Sequence, residues 1–139
     1  SQYMQKTKDT AQNQGYVETI LGRKLYTPNI NADNFVAKEA AQRAAINAPL
    51  QGSAAEIIKL AMIAVDKVLP KDKALMLLQV HDELVFEVDE STTDQIGQLI
   101  QNAMQNVLTD TAATLGWQVD FRVPLVVEIG VGDNWQEAH

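Results

Sequence analysis

The stretch LLQVHDELVFEV, residues 77–88, limits the fold more than any other part of the chain. Two apolar runs are parted by only His81, Asp82 and Glu83. Runs of Val, Leu and Phe on either side of a short polar break read as an antiparallel hairpin with a polar tip. A turn carried on such strands holds its carboxylates outward on a stiff support. Hard divalent cations such as Mg²⁺ prefer carboxylate oxygen and take one or two protein carboxylates together with phosphate oxygens. Asp82 suits that role, with Glu83 beside it. One Asp–Glu pair does not complete a two-metal site, which needs a further carboxylate opposite. The plain alternative is a polar turn, because aspartate bonds readily to its own backbone there. A histidine such as His81 is, taken alone, more often packed or hydrogen-bonded than ligating.

Around this hairpin the chain alternates helix and strand signals. SQYMQKTKDTAQNQG reads as a polar helix stopped by Gly15 and without a convincing N-cap. YVETILGRKLY reads as a small hairpin turning near Leu21 and Gly22 and closed by Pro28. Residues 35–69 are helical in pattern and rich in alanine, and Pro49 predicts a kink or break, with Gln51 near or past it. Ile58, Ala61, Met62, Val65 and Leu69 form a buried stripe, and Pro70 ends the run. STTDQIGQLIQNAMQNVL predicts an amphipathic helix capped by Ser91 with Asp94 in a capping-box position. Its inner face is Ile96, Leu99, Ile100, Ala103 and Val107, and VPLVVEIGVG predicts a last strand. The expected class is α+β: an antiparallel hairpin sheet covered by helices, with an N-terminal helix and small hairpin.

The hydrophobic share of 46% in 139 residues is that of a globular chain able to bury its own core. With no cysteine, disulfides, thiolate metal sites and cysteine nucleophiles are excluded. No signal peptide or membrane-spanning apolar run is evident. The net charge of −7 argues against non-specific nucleic-acid binding by the chain alone, since phosphate affinity comes mainly from Lys and Arg. A local surface must carry any such role. Arg43, Asn47 and Gln51, at i, i+4 and i+8, share one helix face beside small residues. Such donors can reach purine N3 and pyrimidine O2, acceptors present on every base pair. They can equally satisfy carbonyls freed around Pro49. Arg23 and Lys24 near Tyr26 form the other basic cluster, readable as an ordinary solvated turn.

Four segments in order, GYVETILGRKLYTP, AAQRAAINAPLQGSAAEIIKLAM, LLQVHDELVFEV and VPLVVEIGVGDNW, make the chain resemble the C-terminal part of family A DNA polymerases of the bacterial polymerase I type. The resemblance implies that residues 1–34 are the end of the fingers and 35–139 part of the palm. It further implies that Asp82 binds the catalytic Mg²⁺ ions, that Glu83 is the adjacent acid near the primer end, and that His81 contacts the primer-terminal region. Arg43, Asn47 and Gln51 match residues lining the primer–template duplex, with minor-groove and sugar contacts. The implied reaction is attack of the primer 3′-hydroxyl on a nucleotide α-phosphate, in DNA replication or repair. Metal ions there would activate the nucleophile and stabilise the pyrophosphate leaving group.

The family's other metal aspartate, the fingers helix with its lysine and tyrosine, the thumb and the exonuclease domain have no match in this chain. The segment TDTAATLGWQVDFR is longer than in many members. The chain is therefore expected to be a fragment, inactive alone, whose two-metal site is completed only in a longer parent. Primer–template DNA and deoxynucleoside triphosphates are the expected partners of the parent, in the cytoplasm and with no membrane. An exposed sheet edge predicts self-association of the fragment. The competing expectation is a non-catalytic palm-like DNA-binding or assembly module. A stand-alone metal hydrolase is disfavoured by the single acid pair.

Overall fold

The computed structural model describes residues 1–116 and 124–139, which divide into two units, Ser1–Glu56 and Ile57–His139. In the first, α1 (Gln2–Gln14) ends at Gly15, whose φ of 80° is the left-handed cap conformation that glycine adopts most easily. Its start is capped after all: the Ser1 hydroxyl accepts from the Met4 amide at 3.4 Å. Strands β1 (Tyr16–Glu18) and β2 (Lys24–Tyr26) pair antiparallel, Tyr16 against Tyr26. Gly22, with φ 84°, donates to the Thr19 carbonyl at 3.0 Å to close the turn. Ala11, Val17, Ile30 and Ala45 form the small core beneath.

A buried acid fixes this hairpin. Glu56 is 8% exposed and accepts from the Thr19 hydroxyl at 2.8 Å. Arg23 Nε stands 3.2 Å from the same carboxylate, so it serves an ion pair rather than a free basic cluster. Lys24 lies over the Tyr16 ring at 4.8 Å. Hydrogen bonds to a charged acceptor contribute about 1.5–3 kcal/mol each. At Gly52 a Cβ would come 2.8 Å from Thr19 Cγ2, so the helix there must carry no side chain.

Helix α2 (Phe35–Val68) runs unbroken through Pro49, against the break expected from sequence. The missing amide and the ring clash cost energy, but Ala45 and Pro49 are both buried. Burial on both sides of the defect keeps the helical path. Gln51 therefore lies within the helix. By length and composition alone α2 also passes for a membrane-spanning helix, which the sequence reading had not found. Its buried residues, however, pack in clusters with other parts of the protein.

In the second unit, β3 (Ala74–Val80) and β4 (Glu83–Val88) pair antiparallel, and α3 (Thr93–Gln105) and α4 (Val107–Leu115) follow. Val65, Leu69, Ala74, Ile96 and Ile100 form the core, with Met76, Phe86 and Val88 packed against it. A second cluster joins Ala61, Val107 and Leu108. Among the described residues only one face of this sheet is well covered, for Leu75 and Leu77 are 49% and 53% exposed.

Three further expectations are corrected. Ser91 does not cap α3: Asp89 caps a short 3₁₀ turn, Glu90–Thr92, ahead of it, accepting from the Ser91 amide at 3.0 Å. The Ser91 hydroxyl and then its amide, with Lys73 nearby, hold the Asp89 carboxyl below its usual 3.8. Thr92, the α3 cap residue, makes no side-chain capping bond, and the helix stops at Asn106 rather than running on through Val107. Residues 124–132 form no strand. A strand exists through its hydrogen-bonding neighbour, and β3 and β4 pair only with each other among the described residues. The Val127 carbonyl instead accepts from Gln101 Nε2 at 2.8 Å. Val123 and the latter part of TDTAATLGWQVDFR lie outside the described residues.

Candidate functional site

The hairpin tip is a two-residue loop. Val80 pairs with Glu83, leaving His81 and Asp82 as the turn. His81 has φ 54°, the one positive value at a non-glycine position among the described residues. Two-residue hairpins need positive φ at the first loop position because that twist matches the strands, and glycine is the usual occupant. A left-handed residue with a Cβ costs roughly 1–2 kcal/mol, and such strain gathers at functional positions. Gln79 Nε2 donates to the His81 carbonyl at 2.9 Å and steadies the turn.

His81→Gly is accordingly expected to leave the melting temperature unchanged or raise it, by at most about 1 kcal/mol of stability after glycine's own entropy cost. His81→Ala keeps the strain and is expected to give no such gain. Thermal melts of both variants check this, and a destabilised glycine variant would show that the imidazole, not the backbone, holds the turn.

A bulge sets which way the tip faces. The register shifts between Met76 and Leu78, so Leu77 is the extra residue. Phe86 and Val88 face the core while Glu83, Val85 and Glu87 alternate to the other face. After the bulge Leu78 and Val80, the partners of Val85 and Glu83, share that outer face. His81 and Asp82 are exposed and Glu83 is half-buried. Glu83 has company that the sequence did not reveal: His139 Nδ1 lies 3.2 Å from its Oε1. No local pattern signals a contact between residues so far apart in the chain.

Hard carboxylate oxygens at the tip suit a cation such as Mg²⁺. Among the described residues no three His, Asp or Glu side chains gather to hold a metal ion. A depression of about 540 Å³ beside α3, lined by Val68, Gln95, Leu99, Asn102, Ala103 and Asp110, includes none of the candidate site residues His81, Asp82, Glu83, Arg43, Asn47 and Gln51.

The polar stripe belongs to the other unit. Arg43, Asn47 and Gln51 are all exposed on the continuous α2. At 3.6 residues per turn they fall within an arc of about 80°. Arg43 stands 4.0 Å from Glu39, both well exposed, a pair too screened to hold the guanidinium in place. Exposed Ala40 and Ala44 sit on either side in sequence, so little bulk keeps an approaching surface away.

The model of DNA polymerase family A matches residues 1–137. The chain belongs to that family. DNA polymerase I of Pseudomonas aeruginosa is 50% identical over 139 residues, which are 99% of this chain and 14% of that protein. The thermostable DNA polymerase I of Thermus thermophilus is 38% identical over 136 residues, 98% of this chain and 15% of that one. Among solved structures, the POL domain of Pol1 from M. smegmatis in complex with DNA primer-template and dNTP superposes with a TM-score of 0.82 at 44% identity, over 99% of this chain and 23% of its own. The chain thus spans about a seventh of the length of its curated family A relatives.

Proposed function

We propose that the chain is a working segment of a DNA-directed DNA polymerase, supplying one carboxylate of its metal site and part of its primer–template surface. The observation that carries this reading is Asp82, exposed on a strained two-residue turn of a core-backed hairpin, in a chain matched from end to end by a polymerase family. In this reading Asp82 holds Mg²⁺ with a carboxylate from elsewhere in the polymerase and phosphate oxygens, and the ion supplies charge stabilisation for phosphoryl transfer. Glu83 and His81 stand at the primer end. Arg43, Asn47 and Gln51 donate to minor-groove acceptors and sugars, which tests base-pair geometry without reading sequence. The polymerase works in the cytoplasm on primer–template DNA and deoxynucleoside triphosphates. The M. smegmatis POL domain, solved in complex with DNA primer-template and dNTP, supports these partners.

The α2 stripe gives the test. Arg43→Ala, Asn47→Ala and Gln51→Ala in the full-length polymerase are each expected to weaken primer–template binding about tenfold, evenly across duplex sequences. Fluorescence anisotropy with several terminal base pairs measures it. Unchanged affinities for all three would remove α2 from the DNA surface.

Among the described residues no third ligand gathers at the tip to complete such a site. In primer extension the isolated chain is expected to incorporate no nucleotide, and light scattering is expected to find it self-associated through the exposed leucines and open edge of β3. Template-directed incorporation by the isolated chain, or a monomer at high concentration, would contradict the respective expectation.

A further inference from the structure

The approach of His139 to Glu83 is built into the backbone, not left to two long side chains meeting at the surface. Helix α5 (Trp135–Ala138) is a single turn, far too short to persist without external support. Asn134 supplies one part, its side chain accepting from the Glu137 amide at 3.0 Å. Glu137 reaches back and accepts from the Asp133 amide at 3.0 Å, a reciprocal arrangement that fixes the start of the turn. The His139 amide donates to the Trp135 carbonyl at 3.0 Å and closes its end.

Two glycines let the preceding irregular segment lie directly on this turn. At Gly130 a Cβ would fall 1.7 Å from the Ala138 carbonyl oxygen, and at Gly132 one would fall 2.6 Å from Glu137 Cβ. Neither glycine has a left-handed φ, so space and not conformation demands them. Loop, caps and glycines together deliver the imidazole of His139 to the carboxylate of Glu83.

We infer that His139 is a positioning residue that holds the Glu83 carboxylate beside Asp82. The inference rests on the reading of Asp82 and Glu83 as the primer-end site. A loose glutamate next to a cation-holding aspartate would compete for the same cation and repel the same phosphates. The imidazole, itself 65% exposed, stands 3.2 Å from one oxygen of the half-buried carboxylate, closer than the 4.0 Å of the Arg43–Glu39 pair and carried on a capped turn, so it restricts the rotamers open to Glu83. Glu83 is then presented in one orientation when the primer terminus arrives, which matters because small misplacements at reacting centres cost rate steeply.

A double-mutant cycle in the full-length polymerase tests this. His139→Ala is expected to lower the single-turnover incorporation rate about fivefold, with KM for nucleotide and melting temperature unchanged. Glu83→Ala should lower the rate at least as far, and the double variant should be no slower than Glu83→Ala alone. His139→Gln, which keeps a donor, should recover most of the loss, whereas His139→Leu should not. Additive losses, an unaffected His139→Ala variant, or a loss that follows the melting temperature would each overturn the positioning role. An unaffected Glu83→Ala variant would instead overturn the assignment of Glu83 to the site, and the inference with it.

Discussion

Asp82→Asn in the full-length polymerase is expected to lower kcat for nucleotide incorporation by about a thousandfold or more, with primer–template affinity and melting temperature nearly unchanged. Asparagine has the shape of aspartate and tolerates turns equally well, so the hairpin has no reason to move. What disappears is a negative charge at an exposed tip, which on the proposed function is the charge that holds the cation. Metal stabilisation of a phosphoryl-transfer transition state amounts to several kcal/mol, and about 4 kcal/mol corresponds to three powers of ten in rate. Single-turnover kinetics across a Mg²⁺ titration provide the measurement. A loss below tenfold at every Mg²⁺ concentration would show that this carboxylate is not at the reacting centre. A parallel fall in melting temperature would show that the turn itself depends on the acid.

The second large effect is on the mounting. Ile96 is 4% exposed and belongs to the cluster that Met76, Phe86 and Val88 cover from the sheet side. Ile96→Ala is expected to destabilise the fold by about 2–5 kcal/mol, the sum of lost transfer energy and a cavity that packed neighbours cannot refill. Among the described residues the hairpin has one covered face, with Leu75 and Leu77 half exposed on the other, so no described residue opposite makes good the lost contact. Urea unfolding of the full-length polymerase, followed by a probe in this region, measures the shift. A midpoint that does not move would mean that the hairpin is held from elsewhere and that α3 is not its support.

These two expectations start from different kinds of information. The Asp82 tip was legible because its signal is local: two apolar runs and a polar break lie within a dozen residues. The same holds for the Gly15 stop and for the stripe of Ile58, Ala61, Met62, Val65 and Leu69, of which all but the half-buried Met62 are buried as their spacing implied. The hairpin register, by contrast, contains a bulge at Leu77 that alternation of residue types does not announce. The positive φ of His81 is equally silent, since a histidine is not what that conformation prefers.

Where the reading failed, a distant partner or its absence overrode a local preference. Pro49 argues for a broken helix, but burial around it keeps α2 continuous. Residues 124–132 have the composition of a strand and form none among the described residues, because composition cannot furnish a neighbouring strand. Ser91 was placed as the cap, but Asp89, two residues earlier, takes the Ser91 amide itself. The α2 stripe follows from its i, i+4, i+8 spacing, and its three donors do share one exposed face; the family resemblance adds only the DNA contact it implies for them.

The sequence by itself determined the elements whose physics is confined to a few neighbouring residues: helix and strand periods, the glycine stop and the polar tip. Only the tertiary structure decided that α2 survives its proline, that β3 carries a bulge and that His139 meets Glu83. Each of those depends on which groups become neighbours once the chain has folded. The energy of such a contact is set by distance and burial, and neither is written in the order of the residues.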